Sequence, residues 1–249
     1  FIEEHSGEQP FFFYLAYNMP HLPIHTTEEF RGQSDAGLYG DVIETIDWSV
    51  GRVLAALEAQ GVADNTIVFV ASDNGPWLNL PARMRQAGNR PWHQGTTGPL
   101  RGAKHTSYEG GTRVPAIMRW PGRIEAGLET DALVASPDIY RSLLNVAGAA
   151  PPDHPLDGHD LMPFLTGRTD TSPRERYYYF LDNLEAMREG RWKLRLAGDT
   201  TQLFNLQDDP GERFNRAAAH PDRVRRMRRS MKRFADSVGV SLPGAPADQ

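Results

Sequence analysis

The stretch Thr66-Ile-Val-Phe-Val-Ala-Ser-Asp-Asn-Gly75 decides how this chain is read. Thr66 to Ala71 run without a polar break and are rich in β-branched residues, the mark of a strand covered on both faces. The run stops abruptly at Ser72, Asp73, Asn74 and Gly75. In open α/β sheets ligands bind just outside the carboxyl ends of the strands, which is where Asp73 and Asn74 emerge. The pair is therefore a candidate site, and the plainer alternative is a turn, since Asp, Asn and Gly all form turns.

Upstream, Phe11 to Tyr17 reads as a second strand covered on both faces, ending at Asn18-Met19-Pro20-His21-Leu22-Pro23. The two prolines stop the strand and stiffen the loop around His21. Alone, a histidine between prolines is more often structural or merely exposed than catalytic. Between these strands, Val42, Ile43, Ile46, Val50, Val53, Leu54 and Leu57 recur at helical spacing and predict an amphipathic helix over Tyr39 to Gln60, stopped near Gly61. Strand, helix, strand at these distances predicts a parallel βαβ unit. Both polar clusters then lie on one sheet edge, which strengthens His21, Asp73 and Asn74 together as site candidates. The expected class is α/β, a mostly parallel sheet flanked by helices.

The bulk properties narrow the partners. The net charge of −5, from 27 basic and 32 acidic residues, gives no global field for nucleic acid, and no nucleic-acid partner is expected. No cysteine is present, which excludes disulfides and thiol ligands within these residues. No apolar stretch reaches membrane-spanning length. The chain opens at Phe1 and enters its first apolar run at Pro10 without a capping or turn preamble, so we expect it to be the later part of a longer protein.

Pro76 to Leu100 is long, rich in Gly, Pro and Asn, and carries Trp77, Trp92 and His93, the composition of a binding loop or lid. Its tryptophans either line a pocket or bury the loop on its own domain. Next comes Arg101-Gly-Ala-Lys-His-Thr-Ser-Tyr-Glu-Gly-Gly-Thr-Arg113, then a strand-like Val114 to Trp120. Lysine occurs only at 104, 193 and 232 in a chain otherwise basic through arginine. An ammonium is a compact point charge, so Lys104 is a candidate for binding one oxygen of an anion, with codon-driven arginine bias as the plainer account.

Farther on, Ser136-Pro137-Asp138 reads as a helix start with Ser136 as N-cap. From about Arg174 the pattern changes to short strands at Tyr177 to Leu181, Glu185 to Arg188, Trp192 to Leu196 and Gln202 to Leu206, an antiparallel meander. A helix from Pro221 to Val238 follows, with Val224, Met227, Met231, Phe234 and Val238 on one stripe. Arg223, Arg225, Arg226, Arg228, Arg229, Lys232 and Arg233 fill its other faces, a solvated surface or, less simply, a dock for an anionic polymer. We divide the chain into an α/β part over 1–170, a small α+β part over 171–240 and a tail over 241–249.

An acid beside an amide carbonyl suits a hard cation, and His and Lys suit an anionic ester. At this point the sequence resembles the sulfatases, the arylsulfatase-like branch of the alkaline phosphatase superfamily. The resemblance rests on Pro20-His21-Leu22-Pro23, on Ser72 to Pro76, and on Pro99 to Lys104 running into Tyr108 to Pro115. Lesser matches are Glu44 to Gly51, Asp157-Gly158 with Asp160-Leu161 and Pro163, and Leu203 to Leu206 before Asp209 to Glu212. These motifs stand in the family's order over almost the whole chain.

The resemblance implies an alkaline phosphatase-like fold and a sulfuric ester hydrolase acting on a small-molecule or glycan sulfate. It implies that Asp73 and Asn74 ligate a calcium ion, with magnesium as the alternative. His21 would contact the sulfate and the ester oxygen, and Lys104 would bind a sulfate oxygen. The family's nucleophile is a formylglycine made in a Cys-or-Ser-x-Pro-x-Arg motif, which this sequence does not contain. The resemblance thus implies that the nucleophile and further metal ligands lie in an N-terminal part outside this chain, and that the chain alone is inactive. It also favours a periplasmic or secreted location. Two other readings fit the same residues: a phosphate or phosphonate ester hydrolase of the superfamily, and a non-catalytic homologue that holds an acidic glycan.

Overall fold

The computed structural model describes residues 1–7, 9–85 and 88–243. The chain divides into two compact units, Phe1–Thr96 with Val114–Gly122, and Thr97–Arg113 with Arg123 onward. The last six residues of the expected tail, 244–249, lie outside the described residues.

The first unit carries α1 (Ile2–His5), α2 (Gly37–Ala59), β1 (Val68–Ala71) and β2 (Ala116–Arg119). Helix α2 begins where Asp41 accepts the N–H groups of Gly32 and Ser34 at 2.9 Å each. It ends in a Schellman arrangement: Gly61, at φ +67°, donates to Glu58, and Val62 donates to Leu57. Val42 and Leu57 of its predicted stripe are buried, whereas Ile43 is exposed. The unit's core joins Leu22, Ile24, Val42 and Leu80, with Tyr39, Ile46 and Trp77 packed against them. Of the loop tryptophans, Trp77 is thus packed inward and Trp92 stands exposed.

The parallel βαβ unit expected from the sequence is not formed within these residues. Strand β1 pairs with β2, antiparallel, in the register Val68↔Arg119 to Ala71↔Ala116. Residues 10–17 run with no ladder partner among the described residues. Nor is β1 covered on both faces: Phe69 and Val70 are exposed, as are Phe12, Tyr14 and Ile117. Apolarity records which surface the sequence is built to bury, but it names neither the cover nor the pairing partner, and within this chain the nearest available ladder is the returning strand 116–119.

The second unit carries α3 (Glu109–Thr112), α4 (Ser136–Ala147), α5 (Met162–Leu165), β3 (Arg176–Phe180), β4 (Leu184–Glu189), β5 (Trp192–Ala197), β6 (Thr200–Asn205) and α6 (Pro221–Val238). The four strands form the expected meander in the order β3-β4-β5-β6, antiparallel throughout. Gly190 and Gly198 supply the left-handed turn positions at φ +55° and +54°. One sheet face and α6 bury Leu184, Met187, Leu194, Leu196, Leu203, Met227, Met231 and Ala235 together, and Tyr178 stacks on Phe234 with ring centroids 3.8 Å apart. The helix therefore turns Met227, Met231 and Ala235 inward at a spacing of four, while Val238 of the predicted stripe, its last residue, is exposed.

The N-cap of α4 is Ala135, not Ser136, which is already the first helical residue. The cap is made by Asp138, whose Oδ2 reaches back to the Ala135 N–H at 2.8 Å. An acid in the first turn can do this from within the helix and leaves no polar side chain needed at the N-cap itself. Asp138 Oδ1 also accepts the His159 N–H at 2.7 Å, and Ser142 Oγ accepts that of Leu161 at 2.8 Å, so α4 organises the loop that follows it. Among the described residues no helix is long and apolar enough to cross a membrane.

Candidate functional site

His21, Asp73 and Asn74 belong to the first unit and Lys104 to the second. His21 sits between the cis peptides Met19–Pro20 and Leu22–Pro23, with its side chain exposed. Its Nδ1 lies 2.9 Å from the Leu22 carbonyl oxygen. A carbonyl only accepts, so Nδ1 carries the hydrogen, and Nε2 has no partner among the described residues. The short bond to the next residue thus selects the tautomer and presents the other nitrogen to solvent.

Asp73 and Asn74 follow β1 directly. Asp73 Oδ1 accepts the Asn74 N–H at 2.9 Å, and Asn74 Nδ2 donates to the Gly75 carbonyl at 3.2 Å. Ser72 Oγ donates to the Asn74 carbonyl at 3.0 Å. These local bonds satisfy the donors and leave Asp73 Oδ2 and Asn74 Oδ1 with no partner among the described residues. A carboxylate oxygen beside an amide oxygen is the donor chemistry of a hard cation. It falls short in number, since no cluster of three or more His, Cys, Asp or Glu side chains suited to a metal occurs among the described residues.

Lys104 is the second residue of a tight turn from Ala103 to Thr106, with His105 left-handed at φ +69°. Thr106 closes the turn twice, its N–H donating to the Ala103 carbonyl at 3.1 Å and its Oγ1 donating to the same oxygen at 2.7 Å. The ends of the loop are joined where the Gly110 N–H meets the Arg101 carbonyl at 2.7 Å. The two glycines after Glu109 are required by space: a Cβ on Gly110 would stand 2.6 Å from the carbonyl oxygens of Arg101 and Gly102, and one on Gly111 2.4 Å from that of Thr106. The half-buried Lys104 side chain itself has no partner among the described residues.

The C-terminal sheet grips this loop through charged groups. Arg195 Nε donates to Ser107 Oγ at 2.8 Å, Ser107 Oγ donates to Glu185 Oε2 at 2.6 Å, and the guanidinium groups of Arg101 and Arg195 lie 4.2 and 4.3 Å from the centre of the Tyr108 ring. Deeper, Lys193 Nζ lies 2.8 Å from Glu109 Oε1 and 3.0 Å from Glu212 Oε1. Burial pushes the Glu212 carboxyl above its usual range, with the Lys193 charge opposing the rise. Burial likewise pushes the Tyr179 phenol well up, and the Glu109 charge adds to it. Tyr179 therefore stays protonated and donates to Glu109 Oε1 at 3.3 Å. Sequence reading passed over this cluster. Its one visible signal was Lys193, a lysine inside an alternating strand of an arginine-rich chain.

Comparison with known proteins places the chain. The sulfatase family profile matches residues 1–149, and that of the N-sulphoglucosamine sulphohydrolase C-terminal region matches 103–236. The chain is 33% identical to N-acetylgalactosamine-6-sulfatase of Canis lupus familiaris, over 98% of its own length and 51% of the relative's. It is 39% identical to steryl-sulfatase of Rattus norvegicus over 70% of its length and 30% of the relative's. A solved structure from work on the metabolism of multiple glycosaminoglycans by Bacteroides thetaiotaomicron superposes with a TM-score of 0.77 at 32% identity, covering 95% of this chain and 52% of that one. The chain thus spans about half the length of the 6-sulfatase it matches. Its fold is of the alkaline phosphatase-like α/β class, and the chain belongs to the sulfatase family.

Proposed function

We propose that these residues form the later part of a sulfuric ester hydrolase acting on a glycan or small-molecule sulfate ester. The observation that carries the reading is the Lys104 turn, tied down on every side while the ammonium itself has no partner among the described residues. A cation held this way is arranged for an anion that arrives from outside, and one oxygen of a sulfate group is such a partner. His21 Nε2, freed by the bond at Nδ1, exchanges a proton with the leaving oxygen of the ester. Asp73 Oδ2 and Asn74 Oδ1 supply two oxygen ligands of a calcium ion, with magnesium as the alternative; when bound, the cation offsets the negative charge of the sulfate oxygens. Two ligands do not complete a cation site, and no residue here is a formylglycine precursor in a Cys-or-Ser-x-Pro-x-Arg setting. We therefore assign the nucleophile and the remaining ligands to sequence outside these 249 residues. The exposed apolar surface of Phe12, Tyr14, Phe69 and Ile117 supports this, since it is the surface a missing part of the α/β domain would cover.

The test is turnover of a chromogenic aryl sulfate and of sulfated glycan fragments by the complete polypeptide, with bound metal measured in parallel. We expect Lys104→Ala and His21→Ala to remove most turnover, and Asp73→Ala to remove both turnover and bound calcium. Aryl sulfate hydrolysis by the 249-residue chain alone, above its Lys104→Ala control, overturns the assignment of the nucleophile.

A further inference from the structure

The four charges beneath the Lys104 loop are arranged in a way that stability alone does not account for. Lys193, Glu109 and Glu212 are at most 1% exposed at their side chains, and Arg188 Nη1 closes the set 3.7 Å from Glu109 Oε2. Two carboxylates and two cations make it neutral overall. A buried ion cluster gains little over a well-packed apolar core of the same volume, because desolvation consumes the Coulomb attraction. What it adds is direction: each charge accepts only one arrangement of its partners.

That direction bears on the Lys104 loop. Glu109 ends the loop and Arg101 begins it. Glu212 holds both: its Oε2 accepts the Glu109 N–H at 2.6 Å, and its carbonyl accepts from Arg101 Nη1 at 2.9 Å. Glu212 itself stands in the left-handed region at φ +51°, a conformation that costs a non-glycine residue free energy and persists only where its surroundings demand it. Lys193, on the inner strand β5, is the common anchor for both glutamates, and its Nζ also lies 4.4 Å from the centre of the Tyr179 ring.

We propose that the buried Glu109–Lys193–Glu212 cluster is the positioning device that fixes the Lys104 ammonium for its sulfate. The proposal rests on the reading of Lys104 given above, and its residues act through Lys104 without touching substrate.

Two measurements test it. In the complete polypeptide, hydrogen exchange is followed in peptides from 101–113, with β6 at 200–205 as the control for global folding. We expect Glu109→Ala to speed exchange in 101–108 at least about tenfold while β6 stays protected, because opening becomes local. Glu109→Gln keeps an acceptor for Lys193 and is expected to restore the slow exchange. In the complete polypeptide, a kinetic double-mutant cycle joins Glu109→Ala to Lys104→Ala. Misplacing a binding group by about 1 Å costs roughly a hundredfold. We expect that loss in kcat/KM when Lys104 is present, and less than about threefold when it is already alanine, because coupled residues are not additive. Equal losses in both backgrounds, or unchanged exchange in 101–108, overturn the proposal. Should Glu109→Ala also unprotect β6, Glu212→Ala, which removes the acceptor of the Glu109 N–H, carries the same two comparisons. If Lys104→Ala leaves turnover intact, the functional reading fails, while the exchange experiment still decides whether the cluster fixes the loop.

Discussion

Arg174 grips Asp138 with a two-pronged contact, Nε to Oδ2 at 2.8 Å and Nη2 to Oδ1 at 2.5 Å, and the carboxylate is wholly out of solvent. With the His159 and Ala135 N–H groups on the same oxygens, one side chain ties the start of α4, the loop 157–161 and the approach to β3. Asparagine at 138 is isosteric but presents only one acceptor oxygen, and it leaves the nearly buried guanidinium without its counter-charge. We expect Asp138→Asn to lower unfolding free energy by about 3–5 kcal/mol, the usual cost of breaking a buried pair from one side. Urea unfolding at neutral pH with an unchanged m-value measures it.

The same residue sets an acid limit. Burial works to raise the Asp138 carboxyl, but the Arg174 contacts and the two backbone donors outweigh it, so its pKa lies below the ordinary value. A carboxyl depressed on folding contributes stability above its unfolded pKa of about 3.9, and loses that contribution as pH falls through the folded value. The gap between wild type and Asp138→Asn should therefore be full at neutral pH and close below pH of about 4, which unfolding curves taken across that window record.

Glu212 has the opposite sign. Burial raises it, with Lys193 holding back part of the rise. The native state then binds its proton before the unfolded state does, so folding gains as pH falls from neutral toward the unfolded pKa of about 4.3. Glu212→Gln lacks this gain. We expect wild type to become more stable relative to Glu212→Gln as pH falls from 7 to about 4.5, and a constant difference across that range would refute the assignment.

How much of this was legible depended on whether the deciding contact was local. The meander and α6 could be read from 174–238 because alternation, glycine turns and the spacing of Met227 and Met231 are short-range signals whose partners lie in the same stretch. The candidates His21, Asp73, Asn74 and Lys104 came from strand ends, the scarcity of lysine and motif order, and the structure gives each a local geometry. The pairing of β1 was misread because an apolar run fixes an extended chain without fixing which strand lies beside it. The charge cluster was not legible because Glu109 and Lys193 stand 84 positions apart, and the one signal, a lone lysine in β5, does not say which acid it meets. Asp138 as a cap from within the helix was hidden by Ser136, which offered the expected chemistry one position too late.

The glycines separate space from propensity. Gly111 has ordinary φ, yet a methyl group there would meet the Thr106 and Ala103 carbonyl oxygens at 2.4 and 2.5 Å, and neither backbone atom can move without shifting the Lys104 turn. Gly51, inside α2, has nothing within 4 Å of the same added atom. We expect Gly111→Ala to cost about 1–3 kcal/mol through overpacking. By contrast, Gly51→Ala should gain about 0.5–1 kcal/mol, since alanine loses less backbone freedom in a helix. Thermal unfolding of the two variants beside wild type decides it, and a destabilised Gly51→Ala would mean that this helix face is covered.

The basic helix α6 tests whether its charge or its stripe matters to the fold. Met231 is fully buried among Leu194, Leu203 and their neighbours, so Met231→Ala should cost about 2–5 kcal/mol. Its arginines are largely engaged at the surface: Arg225 pairs with Asp222, Arg226 with Glu189 at 3.2 Å, and Arg223 lies 4.6 Å from the Trp192 ring centre. Exposed pairs of this kind contribute about 0–1 kcal/mol. Replacing exposed Arg225 and Arg228 by alanine should shift stability by no more than about 0.5 kcal/mol each. The exception should be Arg223, where the aromatic contact adds roughly 0.5–1 kcal/mol. A loss at Arg225 or Arg228 comparable to that at Met231 would show that the charged face, and not the methionine stripe, holds this helix to the sheet.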